Sequence, residues 1–236
     1  MLNRSHSEDR YIRKIDSENA DFNFVEAFNT LAVNLKYSAT DSNKIMFTSS
    51  SPSEGKTTIS VNAAIALAKQ GNRVLLIDCD LRKPKVRKFF EGLGKNGLTN
   101  YLIGDIKYEE LIQKCDIDGL DIIVSGKIPP SPTRLLLSKE MGALLDRVTP
   151  LYDWIVFDTP PVNLVTDAVV LLKYDISTIL IADQKEGNLQ ILSKAIDSLK
   201  FANAKILGIV VNNAPLEFRY GYASKYKYKY KYYSYK

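Results

Sequence analysis

Five side chains in this sequence have the types and spacing to move a phosphoryl group: Lys56 and Thr57, within Thr-Ser-Ser-Ser-Pro-Ser-Glu-Gly-Lys-Thr-Thr at 48–58, and the aspartates 78, 80 and 158. The run reads as a phosphate-binding loop. A nucleotide's β- and γ-phosphates need backbone N–H groups converging at a helix start, a lysine reaching over them and a hydroxyl on Mg²⁺. Gly55, Lys56 and Thr57 supply those roles, and Ser51, Pro52, Ser53, Glu54 and Thr58 complete the cradle; ATP is the expected ligand and Mg²⁺ its metal. Ser50 stands where the pattern G-x-x-x-x-G-K-[ST] has its first glycine. A small residue there still lets the loop turn. Gly-Lys-Thr alone can arise by chance before a helix, so context carries the reading. Lys44 to Thr48 has strand character, and Thr58 to Gln70 carries Ile59, Ala63, Ala66 and Leu67 at helical spacing before Gly71.

The three carboxylates share a position in the pattern, because each lies at the end of an apolar strand. Asp78 and Asp80 follow Val74 to Ile77, and Asp158 closes Trp154 to Phe157. A hydrophobic strand closed by Asp is the usual second half of such a site, where a carboxylate organises Mg²⁺ and its waters. Any one of them alone could be a helix cap or turn former. Asp78 and Asp80, two residues apart, point the same way if both lie on the strand end, so one can hold metal water while the other takes a proton. Arg82 and Lys83 just beyond could stabilise charge, dock an acidic partner or form a solvated loop.

The elements that must position these groups are legible as an alternation. Strands are expected at Leu120 to Val124, Thr178 to Ala182 and Ile206 to Val211 besides those named, and helices at Arg134 to Val148 and Leu189 to Phe201. From Asp21, Phe24, Phe28, Leu31 and Leu35 recur at helical spacing and predict an amphipathic helix over 21–37. The alternation gives an α/β fold, a P-loop NTPase-like mostly parallel sheet with helices on both faces. Ligands in that architecture sit beyond the C-terminal ends of the strands. The expected organisation is a mobile leader over 1–20 that stays out of the core, one domain over 21–215 and a flexible tyrosine-rich tail over 216–236.

At 236 residues and 45% hydrophobic composition the chain suits one substantial core rather than two. No apolar run approaches the roughly 18 residues of a membrane span, and the polar opening argues against a secretory signal. A cytoplasmic location is expected. Cys79 and Cys115 lack metal-ligand spacing, and the single histidine, His6, lies in the leader. The formal charge of +5 is localised: from Leu216 onward Arg219 and five lysines face one acid, Glu217, which leaves 26 basic and 26 acidic residues in the body. The body therefore has no net charge to steer it to nucleic acid.

That tail holds eight of the fourteen tyrosines: Tyr220, Tyr222, Tyr226, Tyr228, Tyr230, Tyr232, Tyr233 and Tyr235. Tyr-Lys alternation can mimic an edge strand or stack on single-stranded nucleic acid. Neither accounts for its being joined to an ATP site. A tyrosine cluster beside phosphoryl-transfer chemistry reads best as an autophosphorylation substrate.

The loop, Asp78-x-Asp80-x-Arg82-Lys-Pro84, Phe157-Asp158-Thr-Pro160-Pro161 and the tail together resemble the bacterial tyrosine kinases of capsule and exopolysaccharide synthesis, from about Glu26 to the C terminus. The resemblance implies that Lys56 contacts the ATP phosphates, that Thr57, Asp80 and Asp158 hold Mg²⁺, that Asp78 is the base and that Asn212 contacts the nucleotide base. It implies trans phosphorylation of the tail, a cognate tyrosine phosphatase, and recruitment to the inner face of the plasma membrane by a transmembrane polysaccharide co-polymerase-like adaptor through its cytoplasmic C-terminal segment. The helix over 21–37 is similar to the family's oligomerisation segment and implies a possible homo-oligomer; Glu26, Asn34 and Leu35 match, whereas Asn29 and Ala32 replace its arginines. Ser131 and Arg134 also stand where relatives usually have Asn and Glu.

Two other functions share the loop. A partition or division-site switch ATPase usually carries an extra lysine early in the loop, where this chain has Ser51, and lacks a tyrosine tail. A nucleotide-gated scaffold of a polysaccharide assembly complex shares every motif, and only catalysis separates it from a kinase.

Overall fold

The computed structural model describes residues 14–17, 19–38, 42–185 and 187–215. The expected tail tyrosines lie outside the described residues. Seven strands run β1 (Lys44–Ser49), β2 (Val74–Asp78), β3 (Gln113–Lys114), β4 (Leu120–Ile123), β5 (Trp154–Asp158), β6 (Ser177–Asp183) and β7 (Ile206–Asn212). They form one sheet in the order β3-β4-β2-β5-β1-β6-β7, with every pairing parallel except β3 against β4. The expected mostly parallel sheet is thus present. Its two-residue antiparallel edge was not anticipated, being too short to carry a period.

Alternation within the strands divides the core. Ile45, Phe47, Leu76 and Val156 face one side, where α1 (Phe22–Ser38) and α2 (Lys56–Lys69) pack; Met46, Leu75, Ile77, Ile155 and Phe157 face the other. Parallel strands covered on both faces read as continuous apolar runs, as these do. The alanines 63, 64, 66 and 68 are buried in α2, and small side chains let it lie close against the strands while α1 covers it from outside.

Two local differences from the expected elements have identifiable causes. The leader does not stay out of the core throughout: Ile15 is buried, and its N–H donates to Asn62 Oδ1 in α2 at 2.8 Å. One apolar residue with a buried partner is enough to anchor a stretch whose composition is polar. The helix expected over 134–148 divides into α4 (Pro132–Leu136) and α5 (Lys139–Val148), because Ser138 starts a new helix by accepting from Met141 N–H at 3.2 Å. The remaining helices are α3 (Leu98–Leu102), α6 (Asp167–Leu171) and α7 (Leu189–Phe201), and of these α7 matches its expected bounds.

Candidate phosphoryl-transfer site

The loop between β1 and α2 lies at the C-terminal edge of the sheet, with β5 and β6 flanking β1. Gly55 takes a left-handed φ of 88° at the start of α2, a conformation that costs glycine little. Ser50 takes a direct part in the loop's shape. Its Oγ donates to both oxygens of the buried Glu54 carboxylate, at 2.8 and 3.0 Å, and Ser51 N–H donates to Glu54 Oε2 at 2.8 Å. A carboxylate clasp therefore closes the loop where the usual pattern relies on glycine.

The acids converge as the strand ends predict, and more tightly than spacing alone indicates. Asp78 and Asp158 are register partners on neighbouring strands, and both are fully buried. Lys56 Nζ lies among the acids, 2.9 Å from Asp80 Oδ2 and 3.9 Å from Asp158 Oδ1. Burial acts to lower the ammonium's proton affinity, but Asp158 and then Asp80 outweigh it and hold its pKa above the usual lysine value. Asp80 acts through its charge and through the hydrogen bond from Lys56.

Burial, followed by the charges of Asp158 and Asp80, pushes the Asp78 carboxyl well above the usual range, against Lys56 and the Val86 N–H. Its oxygens accept from Asp80 N–H and Val86 N–H, each at 3.2 Å. Burial also raises the Asp158 carboxyl, opposed by Lys56 and the hydroxyls of Thr57 and Ser60. Neither Asp158 oxygen accepts a hydrogen bond of good geometry. A buried carboxylate with open lone pairs beside Thr57 and Asp80 suits a hard cation. Among the described residues no three acids, cysteines or histidines form a ready metal cage.

Two expected site residues, Arg82 and Asn212, are engaged by side chains or backbone of the protein itself. Arg82 is tied to the fully buried Asp167 at the start of α6, through Nε–Oδ2 at 2.7 Å and Nη2–Oδ1 at 3.1 Å, with Thr133 of α4 also bonded to Asp167. It joins the β2 exit to α4 and α6 and makes no hydrogen bond within the acid cluster. Arg82→Ala is expected to lower stability by about 2 kcal/mol, read by thermal melting, by leaving a buried carboxylate short of its main partner. A variant that melts like the parent would show that Thr133 alone suffices. Asn212 lies on the phosphate loop itself, donating from Nδ2 to the Glu54 carbonyl at 3.0 Å. Asp183, a further strand-ending acid not singled out from sequence, accepts from Asn213 Nδ2 at 2.6 Å.

Residues 42–207 match the family model described as AAA domain. The chain is 36% identical over 201 residues to tyrosine-protein kinase YwqD of Bacillus subtilis, covering 84% of this chain and 85% of that one. It is 34% identical over 205 residues to EpsB of Ralstonia solanacearum, covering 86% of this chain but only 27% of that much longer protein. Among solved structures the chimerical protein CapA2B2 superposes with a TM-score of 0.78 at 32% identity, over 81% of this chain and 85% of that one. Likenesses to division-site and partition ATPases fall below 25% identity and show the shared fold alone.

Proposed function

Because the chain belongs to the bacterial tyrosine-protein kinases and carries their phosphate-loop catalytic domain, we propose that it transfers the γ-phosphoryl group of ATP to the tail tyrosines, between Tyr220 and Tyr235, of a neighbouring copy, and through that modification regulates capsule or exopolysaccharide synthesis and export. The observation that carries the proposal is the convergence of Lys56, Asp78, Asp80 and Asp158 at the mouth of the loop, joined in one chain to eight closely spaced tyrosines.

The chain's own groups divide the work. The first N–H groups of α2 and the Lys56 ammonium bind the phosphates. Thr57, Asp80 and Asp158 would hold Mg²⁺, which supplies charge neutralisation on the β- and γ-phosphates. As the phenol oxygen bonds to the γ-phosphorus and the bond to ADP breaks, the phenol proton passes to the acid cluster on its Asp78 side. Like charges at Asp158 and Asp80 raise the proton affinity of Asp78, as this task requires. Positioning and electrostatics supply most of the rate in such transfers.

Each phosphate adds about −1.5 to −2 charges at neutral pH, so about three reverse the tail's local excess of five positive charges. That change of sign is a switch for partner binding, reset by a tyrosine phosphatase. No helix among the described residues is long and apolar enough to cross a membrane. We place the protein in the cytoplasm, drawn to the membrane by the C-terminal segment of a transmembrane adaptor, and assign α1 to contact between copies. The much longer EpsB supports this arrangement, since there the domain is one part of a larger chain. The test is mass spectrometry of the tail after incubation with ATP and Mg²⁺, with and without the adaptor segment. Phosphotyrosine between Tyr220 and Tyr235 is expected. ATP hydrolysis with an unmodified tail, adaptor present, would replace the kinase by the switch-ATPase reading.

A further inference from the structure

We propose that Asn212 is a positioning residue of the phosphate loop, acting on the bound phosphates through the backbone of Glu54 and Gly55. The proposal rests on the reading of the loop as a nucleoside triphosphate site. Its starting point is that Glu54 is held from two sides. The carboxylate is clasped to the loop's beginning by Ser50 Oγ and Ser51 N–H, and the carbonyl accepts from Asn212 Nδ2 at 3.0 Å. The orientation of the Asn212 amide is fixed by chemistry, since its Oδ1 accepts from Asn213 N–H at 2.9 Å while its Nδ2 faces a carbonyl that can only accept.

The contact is intimate as well as directional. A Cβ at Gly55 would lie 2.2 Å from Asn212 Nδ2, so the amide lies directly against the residue that opens α2. A side chain at Gly55 would have to displace that amide, and the φ of 88° favours glycine there in its own right. Asn212 is itself anchored, because its carbonyl accepts from Gln184 N–H at 3.1 Å and it pairs in register with Asp183. Asp183 in turn accepts from Asn213 Nδ2. The loop is therefore fastened to the ends of β6 and β7, and its N–H groups are pre-aimed. Pre-aimed donors bind phosphate without reorganising. A loop that lacks the first glycine of its pattern gains definition from this second attachment.

The discriminating probe is a triphosphate with no base. Binding of ATP and of inorganic tripolyphosphate, each with Mg²⁺, is measured calorimetrically for the full chain and for Asn212→Ala, together with amide hydrogen exchange over residues 50–58 without ligand. The latch predicts that the substitution weakens both ligands by the same factor, about fivefold, and speeds exchange in the loop. Loss confined to ATP, with loop exchange unchanged, would overturn the proposal in favour of a base contact. If the unsubstituted chain binds neither ligand, the triphosphate reading fails, and the exchange arm still decides whether Asn212 holds the loop. A melt of the variant within a few degrees of the parent separates loosening of the loop from general unfolding.

Discussion

Lys56→Met is expected to lower tail phosphorylation by about 10²–10³-fold and, at neutral pH, to lower the melting temperature by roughly 6–20 °C. The first effect follows from removing the cation proposed to bind the phosphates. The second follows from what Lys56 touches: it is the cation bonded to Asp80 and beside Asp158, and Asp78 and Asp158 are wholly buried. Removing it leaves three carboxylates facing one another in low dielectric. Breaking a buried pair from one side costs about 3–5 kcal/mol, and a domain of this size loses about 2–4 °C per kcal/mol. Lys56→Met is therefore an imperfect catalytic control on its own. Adding Asp80→Asn is expected to recover most of the melting temperature and none of the activity. Calorimetric melts of parent, single and double variants, beside phosphotyrosine mass spectrometry, make the test. A single variant as stable as the parent would mean that the acids do not depend on Lys56 for their charge balance.

How far such a site can be read from sequence depends on the range of the interactions that build it. The β1–loop–α2 unit is local, so its strand, glycine and helical period lie within 26 residues of chain. The strand-ending acids were legible because a parallel sheet collects its strand ends along one edge, whatever the strand order. The order was not legible, and with it the register pairing of Asp78 with Asp158, 80 residues apart. The attachment of Asn212 to Glu54 spans 158 residues, and no periodicity marks it. Arg82 shows a further long-range tie that spacing does not reveal. Its place after Asp80 made it a candidate for charge stabilisation, yet its partner is a buried aspartate 85 residues away. Glu54 carried the one local signal that sequence reading could have used more fully, as the lone acid of the loop, four residues after the serine that replaces glycine.

Asp78→Asn is expected to cut phosphoryl transfer by about 10²–10⁴-fold while raising thermal stability at pH 8, a combination that distinguishes a catalytic acid cluster from a structural one. Ionising Asp78 is costly in the folded state, since burial and then its neighbours Asp158 and Asp80 raise its pKa. A carboxyl whose folded pKa exceeds its unfolded value lowers stability as pH rises. The penalty is absent below the unfolded pKa, where both states are protonated; it grows between the two values and is complete above the folded one. The neutral amide removes the charge and keeps an oxygen to accept from the Val86 or Asp80 N–H. The stability gain should therefore be largest at alkaline pH and shrink as pH falls through the raised Asp78 pKa. The rate carries the same signature from the other side: parent activity should fall as pH drops through that raised value, whereas the residual activity of the variant should lose that step. Melts and initial rates from pH 5 to 9 measure both. A variant less stable than the parent at every pH would show that hydrogen bonding by the Asp78 carboxylate outweighs its repulsion, and would make it a structural acid. If stability rises but the pH–rate step persists, the proton acceptor is a different member of the cluster, with Asp80, already beside Lys56, the next to replace.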